Sequence, residues 1–170
     1  MIVDNENYLI DKNIINKIID EINPQTEDKI IEIGPGRGAL TEPLVKGVAD
    51  FTAVEIDSRV IENLKTKFPS LKIINGDFLK LDLTRFASII FKMIENRNYV
   101  QDAVLMVQYE VAKRMNAAIG TKDYGILSVL LNAFGTVKFC FKVSPNVFRP
   151  KPKVYSAVVH IHWKKENLEV

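Results

Sequence analysis

The chain has 170 residues, 47% hydrophobic, with 23 basic against 21 acidic side chains and a net charge of +2. That composition suits one globular domain with a substantial core. A single cysteine excludes a disulfide-stapled scaffold, and no apolar run reaches membrane-spanning length. With so little net charge, a nucleic-acid surface would have to come from local clustering. The start, "MIVDNENYLIDKN", lacks the basic and apolar segments of a signal peptide. The expectation is a soluble, cytoplasmic protein with Cys140 as a small buried hydrophobe.

"DKNIINKIIDEI" sets Ile14, Ile15, Ile18, Ile19 and Ile22 on one helical face, with Asp11 or Asn13 available as cap. "NPQTED" breaks that helix. "KIIEIG" reads as a buried strand, "GPGRG" as a turn and "ALTEPLVKGV" as a helix, with Pro43 tolerated near its first turn. "DFTAVEID" and "LKIINGD" are further strands on either side of the helix "SRVIENLKTKF". "SIIFKMIENR" is a helix and "AVLMVQ" a strand. "YEVAKRMNAAI" and "GILSVLLNAF" are helices around the loop "GTKDYG". The last stretch, "GTVKFCFKVSPNVFRPKPKVYSAVVHIHW", alternates as a strand pair with a Pro-rich connection.

Alternating strand and helix patterns predict an α/β fold, mostly parallel, with an antiparallel addition at one edge. One place breaks the rhythm. Leu79, Leu81 and Leu83 alternate in "FLKLDLTRFA", but the charges among them do not suit a central parallel strand. The helix near Ser88 therefore has no strand feeding it.

Ligands of open α/β sheets bind at the carboxyl ends of the strands. Gly34, Gly36 and Gly38 end the first long strand, where glycine lets backbone amides approach an anionic group. Glu55, followed by Ile56 and Asp57, ends the second and can accept bonds from two ribose hydroxyls. Gly76-Asp77-Phe78 ends the third, an acid for an adenine amino group beside a ring to cover the base. Together these three ends make a nucleoside-shaped constellation. Singly, each has a plainer reading: a tight turn without ligand, an exposed strand-end acid, a helix cap. The Gly34-x-Gly36-x-x-Ala39 spacing also satisfies a loose dinucleotide fingerprint.

The segments "ENYLID", "EIGPGRGALTEPL", "VEID", "NGDFLKLD", "VQYEVAKRM", "KDYGILSVL" and "VSPNVFRPKPKVYSAVV" resemble the ribosomal RNA adenine dimethyltransferases, from about Glu6 to Ile161. The resemblance implies a Rossmann-like class I methyltransferase sheet over residues 1–170. It also implies S-adenosylmethionine as cofactor and dimethylation of adenine N6 in small-subunit rRNA. By motif position Asn7, Tyr8 and Leu9 match the N-terminal cofactor-contacting segment, with Glu6 and Tyr8 where the family usually has Gln and Phe. Gly34, Gly36 and Gly38 would face the methionine end of the cofactor. Glu55 with Ile56 would hold the ribose, Asp77 and Phe78 the adenine, and Phe148 the flipped-out target base. The partner implied is the immature small ribosomal subunit, with no membrane and the protein a monomer.

The family's Asn-(Leu/Ile)-Pro-Tyr motif does not occur in the chain. The resemblance implies that roughly twenty residues are absent between Phe86 and Ile89, about one central strand with its turns. It also implies that the usual C-terminal helical domain is absent after Val170. Two rival functions stay open: a catalytically inactive cofactor- or RNA-binding module, and a nicotinamide-dependent oxidoreductase. The latter is disfavoured because no hydride-transfer partner accompanies the turn.

Arg149, Lys151, Lys153, Lys164 and Lys165 form a basic stretch near Phe148, read equally as phosphate contact or solvated strand end. Lys113 and Arg114 read as an exposed helix face, and Trp163 as packing. His160 and His162 share a strand face, but no Cys or carboxylate sits at ligand spacing, so no metal is expected.

Overall fold

The computed structural model describes residues 7–76 and 85–164 and divides into two compact units. In chain order the elements are β1 (Tyr8–Leu9), α1 (Lys12–Ile22), β2 (Lys29–Ile33), α2 (Thr41–Gly47), β3 (Asp50–Glu55), α3 (Ser58–Lys67), β4 (Lys72–Asn75) and α4 (Arg85–Glu95). They continue with β5 (Asp102–Gln108), α5 (Tyr109–Met115), α6 (Ile126–Phe134), β6 (Gly135–Val143), a 3-10 turn at Pro145–Val147, β7 (Phe148–Arg149) and β8 (Ser156–Trp163).

The first unit, Met1–Lys80 with Asn146–Pro152, holds a parallel sheet ordered β2-β3-β4. α1 begins where Asp11 accepts hydrogen bonds from the Asn13 and Ile14 amides at 2.9 and 3.0 Å. It ends at Asn23 in the left-handed region (φ 48). Pro43 falls in the first turn of α2, where its missing N–H has no helical partner to lose. The core gathers Leu44, Val48, Phe51, Ala53, Leu64 and Leu71, with the apolar stripe of α1 represented by Ile19 and Ile22. β1 and β7 pair antiparallel, Leu9 opposite Phe148.

The second unit, Leu81–Pro145 with Lys153–Val170, holds an antiparallel sheet ordered β5-β8-β6. The expected terminal strand pair is present as β6 and β8, and β8 is the central strand of its sheet, paired antiparallel on both sides. The reason lies in its composition. Ala157, Val158, Val159, His160 and Ile161 are all buried, which a strand with two flanking neighbours allows and an edge strand does not. Cys140 is half-buried at the register shift between Phe139 and Phe141, not fully enclosed. Trp163 is buried as expected.

α4 runs unbroken through Arg85–Glu95, and among the described residues no strand lies between β4 and β5. Among the described residues β2 ends the order of its sheet and β5 the order of its own. No helix of the described residues is long and apolar enough to cross a membrane.

Candidate cofactor site

The β2–α2 turn is built by three glycines with positive φ: Gly34 at 67°, Gly36 at 54° and Gly38 at 84°. L side chains rarely adopt that conformation, and at two of the three a Cβ would also crowd a neighbouring side chain. A Cβ on Gly36 would lie 3.1 Å from the Tyr8 ring, and one on Gly38 would lie 2.9 Å from Leu64. Gly34 differs, with no atom within 4 Å of its notional Cβ. Two of the glycines thus let the chain pack tightly, while the first opens onto free space. Gly34 donates to the Val54 carbonyl (2.9 Å), which ties the turn to β3.

One strand over, Glu55 is buried at the carboxyl end of β3. Its Oε1 accepts hydrogen bonds from the Ile56 and Asp57 amides at 2.7 and 3.0 Å. This local loop fixes the carboxylate through Oε1. Ile56 is 60% exposed beside it, an apolar side chain in water. Gly76 donates to the Glu55 carbonyl (3.0 Å), which brings the end of β4 alongside. Asp77 and Phe78 lie outside the described residues.

β1 brings the N-terminal segment to the turn. Tyr8 touches Gly36, and the Arg37 guanidinium stacks 4.4 Å over its ring. Leu9 is buried, and Asn7 is exposed. Phe148 is buried in β7, enclosed by the strand pair rather than presented to solvent.

A cavity of about 610 Å3 opens beside the turn, lined among others by Tyr8, Gly36, Arg37, Arg59, Lys67 and Pro150. Its size suits a nucleoside-sized ligand. Glu55 and Gly34 do not line it, so it adjoins the strand-end constellation and widens it toward α3. Asp57, also on its wall, caps α3. Hydrogen bonds from the Arg59 side chain and then from the Arg59 amide hold its carboxyl at about 2.

Sequence reasoning missed Glu32 and Thr41. The buried Thr41 hydroxyl donates to Glu32 Oε2 at 2.6 Å, yet burial wins and raises the Glu32 carboxyl from 4.5 to about 7. An acid inside the apolar run "IIEI" was the available signal. Among the basic residues, Lys113 pairs with Glu110 at 2.6 Å and Lys164 donates to the Asn132 carbonyl. Arg149, Lys151 and Lys153 are exposed, and Lys165 lies outside the described residues. The expectation that His160 and His162 lack a nearby carboxylate is corrected: β5 pairs with β8 so that Asp102 lies opposite His162, and its Oδ2 is 3.1 Å from His160.

The fold matches a dimethyladenosine transferase from Plasmodium falciparum with a TM-score of 0.84 and 31% identity, over 92% of this chain and 63% of that one. The 23S rRNA methyltransferase ErmE matches at 0.81 and 25% identity, over 96% of this chain and 73% of that one. Among curated proteins, the ribosomal RNA small subunit methyltransferase A of Prosthecochloris aestuarii is 40% identical, over 96% of this chain and 69% of its own length. That of Chlorobium phaeobacteroides strain BS1 is 42% identical, over 92% and 66%. The chain thus spans about two thirds of the length of these relatives. The match to the first extends over 181 residues, whereas 96% of 170 is about 163, so some 18 positions have no counterpart here. For the second, 173 against about 156 leaves some 17. A family model described as ribosomal RNA adenine dimethylase matches residues 3–170. The glycine turn, the strand-end acid and these matches agree: the chain belongs to the ribosomal RNA adenine dimethylase family, whose cofactor is S-adenosylmethionine.

Proposed function

We propose that this chain binds S-adenosylmethionine and serves the N6,N6-dimethylation of adenine in small-subunit rRNA. In this reading it acts in the cytoplasm as a single copy on the immature small subunit, and residues 1–170 form the cofactor-binding domain. One observation carries it: a turn of three positive-φ glycines stands beside a buried, amide-anchored Glu55 on the neighbouring strand.

The residues present fit the cofactor, since Gly34 opens onto free space and Glu55 is fixed through Oε1 at the neighbouring strand end. When bound, S-adenosylmethionine supplies a methyl group on a sulfonium, activated toward the adenine N6 lone pair. The amides of the turn receive the cofactor's carboxylate, and Glu55 accepts from the ribose hydroxyls. Ile56 would stand beside Glu55 at the ribose, and Asp77 with Phe78 would hold the adenine. Asn7, Tyr8 and Leu9 would contact the cofactor from the N-terminal segment, and Phe148 would serve the target base. These residues work by positioning and by excluding water, without a strong base.

Calorimetric titration of S-adenosylmethionine tests the site. Glu55→Ala and Asp77→Ala should each weaken binding about tenfold or more, the loss of a charge-assisted hydrogen bond. Unchanged affinity in both would overturn the assignment.

A second reading, a cofactor- or RNA-binding module without activity, is favoured by the missing Asn-(Leu/Ile)-Pro-Tyr motif and by the 17 or 18 positions without counterpart. Methyl incorporation into unmethylated small-subunit particles separates the two. Transfer of two methyl groups per adenine supports the first, and cofactor binding without transfer supports the second.

A further inference from the structure

Asp102, His160 and His162 form the one group of potential metal ligands found among the described residues, and all three belong to the second unit. On β8 the two histidines are two residues apart, so both imidazoles stand on the same face of the sheet. Asp102 on β5 is the cross-strand partner of His162 and projects to that face as well. Asp102 Oδ2 lies 3.1 Å from His160 Nε2 and 3.9 Å from His162 Nδ1, and all three ligand atoms fall within 4.8 Å of one another. Ligand atoms around a tetrahedral ion with bonds near 2.0 Å stand about 3.3 Å apart. The two distances from Asp102 bracket that value, and no pair of the three ligand atoms is more than 4.8 Å apart.

We propose that Asp102, His160 and His162 bind a late first-row divalent metal ion such as Zn2+. Two imidazoles and one carboxylate select Zn2+, Cu2+, Ni2+ or Co2+ over Mg2+ and Ca2+, which require oxygen shells. The scaffold is preformed: β8 is the central strand of its sheet, His160 is buried and fixed, and only the exposed sides of His162 and Asp102 need adjust. Water completes the coordination from the solvent side, where His162 is about half exposed. Lys138, opposite His160 in the β6 register, is the cation closest in register and moderates the affinity without occupying a ligand position.

The test uses the full chain without a polyhistidine tag. Titration with Zn2+ should show saturable one-to-one binding, with a dissociation constant of the order of 10 μM near neutral pH. Co2+ should develop the intense visible absorption of a four- or five-coordinate site. His162→Gln and Asp102→Asn change exposed side chains, so both variants should fold. Each should weaken Zn2+ binding by at least about tenfold and abolish the Co2+ band, as expected for loss of a ligand. Absence of saturable binding up to about 1 mM Zn2+ would overturn the proposal, as would affinities within twofold of the parent in both variants.

Discussion

Holding a carboxyl at about 7 two residues before the glycine turn makes Glu32 sensitive to pH. Its folded-state value lies above the unfolded one, so the protonated form favours the fold. That stability is complete below about 4.5 and is lost as pH rises through 7. Glu32 is half-buried, and allowing for screening the loss is about 2 kcal/mol. Glu32→Gln keeps an acceptor for the Thr41 hydroxyl without ever charging. The variant should therefore melt at higher temperature than the parent at pH 8 and match it at pH 4.5; identical pH profiles would refute this account. At this scale the sequence was legible where one residue acts through its own backbone. The glycines announce the left-handed turn, and Asp11 announces a helix start. Glu32 with Thr41, and Asp102 with the histidines, were illegible because each contact depends on the fold bringing distant backbone together.

Helix α1 shows what periodicity alone can specify. Its isoleucines recur at helical spacing and its cap residue stands just before the first turn, so both boundary and buried face follow from local rules. Replacing Asp11 by Ala leaves two amide donors without their carboxylate and should cost about 1 kcal/mol. Thermal unfolding followed by circular dichroism should register a drop of about 3 °C; no change would mean water caps the helix equally well. Strand identity was similarly legible, since β2, β3 and β4 fall on the apolar runs. Strand order was not. Placing β8 between β5 and β6 is a matter of long-range pairing, and alternation along "SAVVHIHW" carries no record of how many neighbours the strand has.

Across the molecule, among the described residues, the first sheet ends on β2 and β4 and the second on β5 and β6, each with one hydrogen-bonded neighbour strand. β2 is an apolar parallel strand, yet Ile31 on it is 63% exposed. Such an edge invites pairing with another chain. Concentrated or warmed protein should therefore scatter light increasingly, and Ile31→Lys should reduce that rise at least about twofold while leaving the melting temperature nearly unchanged. Equal scattering from both proteins would place the adhesive surface elsewhere. The irregular rhythm of "FLKLDLTRFA" was visible in the sequence. Which strands end each sheet was not, because edges are a property of pairing and not of any one segment.

The unbroken α4 has its own consequence. Its buried positions Ile90, Met93 and Ile94 all come after Ser88, a residue type well suited to open a helix. A helix starting at Ser88 would retain every one of those contacts. The packing described for α4 thus falls in the part of the helix that follows Ser88.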